Sequence, residues 1–256
     1  MARIKVINKR GSRACRTIRE KAKIYMYKGK NKWTVDALVN YGVCGNKLDK
    51  FYKLYPSAKK IPVINRNVGL SKLGVINLVE EQGIIVPKSK LSLSVKDNRK
   101  DFIEKRKKSI GGIGICRARG KRKIAGKYYQ EFIDDRSYEL RVHAFEWMKK
   151  FHVQKRHGSP DKIAWNYNNG GHFSTVRNID MPVFKKAIET SRKVLSVLGM
   201  GFGAVDFLVD SSRNLYFIEI NSAPGFQELS EHIYVDAFKA LKEMPTRDLR
   251  KLKCLS

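Results

Sequence analysis

Gly199-Met-Gly-Phe-Gly-Ala-Val-Asp-Phe-Leu-Val-Asp-Ser-Ser-Arg-Asn-Leu-Tyr-Phe-Ile-Glu-Ile-Asn-Ser-Ala-Pro-Gly225 is the stretch on which the reading of this chain turns. Two strand-like runs, Phe202–Val209 and Leu215–Ile220, flank the turn-rich Asp210-Ser-Ser-Arg-Asn214. Asp206 lies inside the first apolar run, where a charge is unusual. Glu219 and Asn221 close the second, and side chains two apart on a strand point the same way. With Asp206 opposite Glu219, three oxygen-bearing groups converge on one face. Hard oxygen ligands suit Mg²⁺, which needs few protein ligands when phosphates and water supply the rest. The spacing alone favours the more ordinary reading, a surface hairpin whose acids face water.

Glu219-Ile-Asn-Ser-Ala-Pro-Gly225, preceded by Ala204-Val-Asp-Phe207, resembles the metal-binding end of the ATP-grasp superfamily. The resemblance implies that Asp206, Glu219 and Asn221 hold the Mg²⁺ ions that bridge ATP phosphates, two ions in number, with Mn²⁺ as an alternative metal.

Upstream passages fit in the same order. Ser71–Gln82 carries a stripe at Leu73, Ile76, Asn77, Leu78 and Val79, which predicts a helix ended by Gly83. Gly83-Ile-Ile-Val-Pro87 follows it, and Lys72 at the helix start resembles the family's phosphate-reaching lysine. Ser109-Ile-Gly-Gly-Ile-Gly114 is a glycine-rich loop between short strand-like runs. Backbone N–H groups of such a loop can surround an anion, although a plain hairpin turn has the same composition. It resembles the family's phosphate loop, with Ser109, Gly111, Gly112 and Gly114 against the nucleotide. Lys105 stands in the place of the preceding strand lysine, with Lys108 as its rival.

Lys127–Asp134 reads as an aromatic strand running into an acidic turn, and Tyr138–Phe145 alternates strictly. Leu140, Val142 and Ala144 share one face; Glu139, Arg141 and His143 share the other. This pair resembles the family's adenine hinge and ribose strand. It implies that the backbone of Glu131, Phe132 and Ile133 meets adenine, that Glu139 takes the ribose hydroxyls and that Arg141 faces the transferred phosphate. Trp147–Gln154 is expected to be the partner strand, with Arg156 just beyond it near the γ-phosphate. Asn166-Tyr-Asn-Asn-Gly-Gly171 resembles the branch that adds glutamate to a ribosomal protein and makes Asn166 a candidate catalytic residue. That branch has an arginine two residues earlier, where this chain has Ala164.

Composition sets the outer bounds. The chain has 256 residues with a formal net charge of +29. Residues 1–72 hold 19 Lys/Arg and 3 Asp/Glu, net +16; residues 73–127 hold 15 and 5, net +10; residues 128–256 hold 19 and 16, net +3. Such asymmetry fits a polyanionic partner, nucleic acid or acidic protein, and equally a merely solvated basic surface. No apolar run reaches the ~18–20 residues of a membrane span. Cys15, Cys44, Cys116 and Cys254 form no CxxC pair, which argues against zinc and for reduced thiols in a cytoplasm.

The expected fold is therefore α+β: an ATP-grasp domain over residues 71–256, with lobes 71–133 and 134–256 enclosing ATP, preceded by a small basic α/β lobe over 1–70. A helix is expected over Met181–Leu198, another over Glu231–Lys242, and a frayed basic tail over residues 247–256. The resemblance implies a ligase that activates a carboxylate as an acylphosphate and passes it to an amine, the acceptor being a protein, a peptide or another acidic macromolecule. A phosphotransferase on the same fold, or a basic nucleic-acid-binding protein, is the alternative.

Overall fold

The computed structural model describes every residue except 9–11, 30–34, 67, 109–113, 160–161, 166–169, 226–229 and 256. The chain opens with β1 (Ile4–Asn8), α1 (Arg13–Ala22), β2 (Ala37–Tyr41), α2 (Asn46–Leu54) and β3 (Val63–Ile64). The strands form a parallel sheet in the order β1-β2-β3. Parallel neighbours need a crossover, and α1 supplies it between β1 and β2. α1 starts where the Ser12 hydroxyl accepts from the Cys15 N–H, relieving one orphan donor of the first turn. It buries Ala14, Cys15, Ile18 and Ala22 and leaves its arginines outside.

α3 (Lys72–Glu81) is capped in the same way, Ser71 Oγ accepting from Gly74 N–H at 3.1 Å. β4 (Ser89–Lys90), β5 (Phe102–Arg106), β6 (Cys116–Arg117) and β7 (Lys127–Glu131) follow as an antiparallel sheet in the order β4-β7-β5-β6. A larger antiparallel sheet comes next, in the order β10-β9-β8-β11-β12. Its strands are β8 (Arg136–Phe145), β9 (His152–His157), β10 (His172–Thr175), β11 (Phe202–Asp210) and β12 (Leu215–Asn221), with α4 (Pro182–Val197) between β10 and β11. α5 (Glu231–Glu243) and α6 (Thr246–Leu249) close the chain.

Period-two alternation gives the larger sheet two unlike faces. Leu140, Val142, Ala144, Val153, Val205, Phe207, Val209 and Phe217 share one core with Leu73, Ile76 and Val79 of α3 and with the apolar stripe of α4. The opposite face carries the polar residues of β8, β9, β11 and β12 and looks toward the four-stranded sheet. The N-terminal sheet joins at the far end through a second core shared by α1, α5, Phe145 and Phe202. Asn65 fixes that junction: it sits at φ +59, accepts from the Gly201 N–H at 2.8 Å and donates to the Phe202 carbonyl at 2.9 Å. Asparagine tolerates this left-handed geometry better than most residues.

Two expectations are corrected. The strand paired with β8 is His152–His157, not Trp147–Gln154, which brings Arg156 inside it. Trp147 instead secures α5: its indole N–H donates to the Ala237 carbonyl at 2.8 Å and its ring packs on Phe145 and Phe202. Nor is the C-terminal segment frayed. Leu249, Leu252 and Cys254 are buried in the second core, and the Glu146 carboxylate accepts from the backbone N–H groups of Lys253 and Cys254. Apolar residues inside a charged run mark a packed tail that charge counting alone misreads. Leu249→Ala is accordingly expected to cost about 2–5 kcal/mol, as for other buried leucines, read as a lower urea midpoint; an unchanged midpoint would mean that the tail is not part of the core.

Candidate active site

The register of the larger sheet lays its polar face out as rows. Gln154 is opposite Arg141, Arg141 opposite Asp206, and Asp206 opposite Glu219. Directly opposed residues of an antiparallel pair share a face, so four polar side chains cross the sheet in line. On one side of this row Arg156 is opposite Glu139, and Glu139 opposite Leu208. On the other side His152, His143, Ala204 and Asn221 run in sequence. An irregularity between Asp206 and Phe207 pairs Phe207 with Phe217 and leaves Ile218 unpaired. Ile218 thereby joins Leu208 as apolar lining beside the carboxylates.

The central row is held by charge. Arg141 grips Asp206 with a two-pronged fork, Nε to Oδ1 and Nη2 to Oδ2, both at 2.7 Å. Asp206 is 3% exposed. Burial opposes its charge most strongly, but the Arg141 guanidinium, joined by Arg156 and His143, holds the carboxyl below its ordinary value. Burial likewise works against the Arg141 charge, and Asp206, with Glu219 and Tyr234 adding to it, raises Arg141 above its ordinary value. Arg156 pairs with Glu139 and approaches Asp206 to 3.6 Å. Burial pushes the Glu139 carboxyl up, against the pull of Arg156. Lys72 reaches Glu219 across 2.5 Å. The Lys72 backbone N–H donates to the Lys107 carbonyl, which ties the start of α3 to the end of β5.

These groups line a cavity of about 290 Å³ whose other wall is the four-stranded sheet. Lys105 and Gln130 come from that wall, the Lys105 ammonium donating to Gln130 Oε1 at 2.8 Å. Burial brings the Lys105 pKa down to about 8, the nearby Lys72 adding to the effect and Glu219 opposing it. The hinge, Glu131, Phe132 and Ile133, lines the cavity too. The N–H groups of Glu131 and Phe132 are given to the Lys88 and Asp101 carbonyls, each at 2.8 Å. Among the described residues Ile133 is the hinge position whose N–H has no such partner.

Of the residues singled out in the sequence, Lys72, Lys105, Glu131, Phe132, Ile133, Glu139, Arg141, Arg156, Asp206, Glu219 and Asn221 all meet at this cavity. Lys108 is exposed and does not line it. Gly114 lies in the turn before β6 at φ +79, where an added Cβ would come within 2.6 Å of the Arg106 side chain. Ser109, Gly111, Gly112 and Asn166 lie outside the described residues.

The oxygen set fits a magnesium-type ion. Asp206, Glu219 and Asn221 offer hard oxygens from two paired strands, and cationic side chains already sit on both carboxylates. Among the described residues no three His, Cys, Asp or Glu cluster tightly enough to hold a metal by themselves. Phosphate oxygens and water would have to complete the shell.

Two lining residues, Arg136 and Trp165, carry no signal in the sequence. Arg136 lines the cavity and donates to the carbonyls of Ile163 and Lys162. Its guanidinium lies 4.0 Å from the centre of the Trp165 ring and 5.4 Å from that of Phe132. One planar cation thus joins the hinge to the 162–165 segment. Arg136→Ala should speed amide hydrogen exchange across 162–165 by about 10–150-fold, a lost charge-assisted hydrogen bond being worth ~1.5–3 kcal/mol. Arg136→Lys should not restore protection, because an ammonium cannot both stack and fork. Unchanged exchange in both variants would remove this role.

Residues 149–241 match the family model described as the D-Ala D-Ala ligase C-terminus. No curated protein sequence matches the chain. Among solved structures, the macrocyclase MdnC bound with precursor peptide MdnA, from Microcystis aeruginosa MRC, superposes with a TM-score of 0.61 at 12% identity, covering 96% of this chain and 100% of that one. The ATP-grasp ligase PsnB, complexed with a phosphomimetic variant of its minimal precursor, Mg and ADP, gives 0.60 at 12% identity over 94% and 98%. D-alanine–D-alanine ligase from Bacillus anthracis, complexed with ATP, gives 0.59 at 13% identity over 98% of both chains. At these identities the likeness establishes architecture: this chain has the α+β fold of the ATP-grasp ligases.

Proposed function

We propose that the chain is an ATP-dependent ligase that activates a carboxylate as an acylphosphate and joins it to an amine. The observation that carries this reading is the cavity itself. Lys72, Lys105, Arg141 and Arg156 converge on one space with Asp206, Glu219 and Asn221, between two antiparallel sheets. Cations for phosphate beside oxygens for a metal are the two halves of a phosphoryl-transfer site. No side-chain nucleophile is needed.

In this reading the adenine lies against the hinge, meeting the Ile133 N–H, with Leu208 and Ile218 as apolar contacts. Glu139 takes the ribose hydroxyls. Lys72 and Lys105 hold phosphate oxygens, and Arg141 and Arg156 face the group being transferred. Asp206, Glu219 and Asn221 would hold Mg²⁺; Asp206 keeps lone pairs for it beyond those given to Arg141. Bound Mg²⁺ would offset charge on the β- and γ-phosphate oxygens. Lys72 now neutralises Glu219, so it exchanges that carboxylate for phosphate when nucleotide binds. A substrate carboxylate oxygen then attacks the γ-phosphorus, the bond to the bridging oxygen breaks, and ADP leaves with the electron pair. The amine nitrogen attacks the acyl carbon, the carbon–oxygen bond to phosphate breaks, and phosphate departs as the nitrogen loses a proton. The precursor peptides bound to MdnC and PsnB support a peptide or amino-acid substrate here.

The test is ATP turnover over a panel of carboxylates with hydroxylamine as trapping amine. Hydroxamate formed together with ADP and phosphate supports the reading, and Glu219→Gln should lose it while keeping the wild-type melting temperature. Phosphate moved onto a stable product with no amine requirement would replace the ligase by a phosphotransferase.

Lys105 adds a pH signature. Its pKa of about 8 in the free protein lies below the ordinary lysine value of 10.5. Phosphate nearby favours the charged form and raises that pKa. ATP binding should therefore take up a proton near pH 8.5, and affinity should fall as pH rises above about 8. Titration calorimetry in buffers of different ionisation enthalpy reads the uptake, which Lys105→Met should abolish. Uptake that persists in Lys105→Met would assign the proton elsewhere.

A further inference from the structure

The basic charge of the N-terminal 72 residues, net +16, is given a definite direction by α1. Arg13, Arg16 and Arg19 recur at three-residue spacing on its exposed side, and Lys23 follows at its end. The inner side is fixed: Ala14, Cys15, Ile18 and Ala22 share a core with Tyr234, Ala237, Phe238 and Leu241 of α5. Lys21 is held by Glu231 and Arg19 pairs with Glu20. Among the described residues no carboxylate forms a salt bridge with Arg13 or Arg16.

At the N-terminal end of this helix is a hollow of about 260 Å³, lined by Ser12 and Arg13, by Tyr41 and Gly42 after β2, and by Ala223 and Pro224. The last two follow closely on Asn221. The contact is close: the Tyr41 hydroxyl donates to the Pro224 carbonyl at 2.7 Å. Gly42 sits at φ +73, where an added Cβ would come within 2.5 Å of Ala223 Cβ. The arginine face therefore leads into a hollow whose far wall is the chain segment that leaves the candidate metal strand.

We propose that the exposed face of α1 and this hollow dock an acidic polypeptide segment, which presents a carboxylate to the cavity beside Asn221. The docking stands on charge and shape; the presentation of a carboxylate rests on the ligase reading above. Charge complementarity favours a polyanion, and the cavity chemistry decides which kind. Activation needs a carboxylate, which an acidic side chain or chain end supplies and a nucleic acid lacks. A hollow of this size also suits one side chain entering from an extended segment lying along the helix.

Fluorescence anisotropy of a short labelled peptide of alternating Glu and Gly, titrated with the full chain over a salt series, tests this. Wild type should bind at low salt and weaken as salt rises. Arg13→Glu combined with Arg16→Glu and Arg19→Glu should weaken binding by about 10–100-fold at low salt and flatten the salt dependence. Lys47→Glu with Lys50→Glu and Lys53→Glu, an equal charge reversal on exposed positions of α2, should stay within about twofold of wild type. If the α1 reversal lowers the melting temperature, the milder Arg13→Gln with Arg16→Gln should still weaken binding.

Equal losses from the α1 and α2 reversals would reduce the effect to net charge and overturn the proposal. So would no binding by wild type at low salt, or an oligonucleotide of matched charge that binds more tightly through the same arginines. ATP binding is followed separately by its shift of the melting temperature, which both reversals should leave intact. Wild type without that shift would sink the ligase reading and leave the docking result standing.

Discussion

A carboxylate buried at the middle of β11 governs this structure. β11 is buried along its whole length between β8 and β12, and Asp206 lies near its centre. An ionised carboxylate in such a place is costly unless a cation and good hydrogen bonds accompany it. Arg141 on the neighbouring strand meets both demands with its fork. That one pairing sets the polar face of the sheet, because register then fixes what stands beside it: Glu219 on one side, Gln154 on the other, and Glu139 and Arg156 in the next row. A slip of one residue between β8 and β11 would turn Arg141 into the apolar core and leave Asp206 alone. The ion pair therefore specifies register as well as marking the site.

The two sheets are coupled at the same place. α3 packs its apolar stripe on the back of the larger sheet, yet its first residue, Lys72, reaches round to Glu219 on the polar side and hydrogen-bonds the end of β5. Lys105, from the smaller sheet, lies in the field of Glu219 and Lys72. Arg136 makes the corresponding link at the hinge end, joining Phe132 to Trp165. Cations that touch more than one element line the cavity, so what occupies it can influence how those elements sit.

Much of this is legible in the sequence, for physical reasons. Asp206 inside an apolar run, with Glu219 and Asn221 two apart, is an alternation anomaly, and the structure brings the three to one face as strand periodicity requires. Glu139, Arg141 and His143 are readable in the same way from strict alternation on β8. Lys105 cannot be separated from Lys108 by spacing, because both stand in one basic run; burial distinguishes them, and burial is a tertiary property. Arg136 and Trp165 leave no trace, since a stack between residues so distant in sequence has no local pattern. The C-terminal segment reads as frayed because its charges outnumber Leu249, Leu252 and Cys254, although those three decide where it lies.

The alternating signs of the site also explain its balance. Arg141 with Asp206, Arg156 with Glu139 and Lys72 with Glu219 are three cation–anion pairs in one small space. Each partner offsets the other's desolvation, so the cavity can be polar and largely buried before anything binds. A polyphosphate with its metal would bring both signs at once and could exchange with such pairs while charge stays balanced. A lone anion would have to strip carboxylates of their cations, and a lone metal ion would have to displace ammonium or guanidinium groups. The arrangement thus favours joint entry of nucleotide and metal over either alone. It also fits the near-neutral balance of residues 128–256, which supply all three carboxylates of these pairs, while the surplus positive charge lies in residues 1–127.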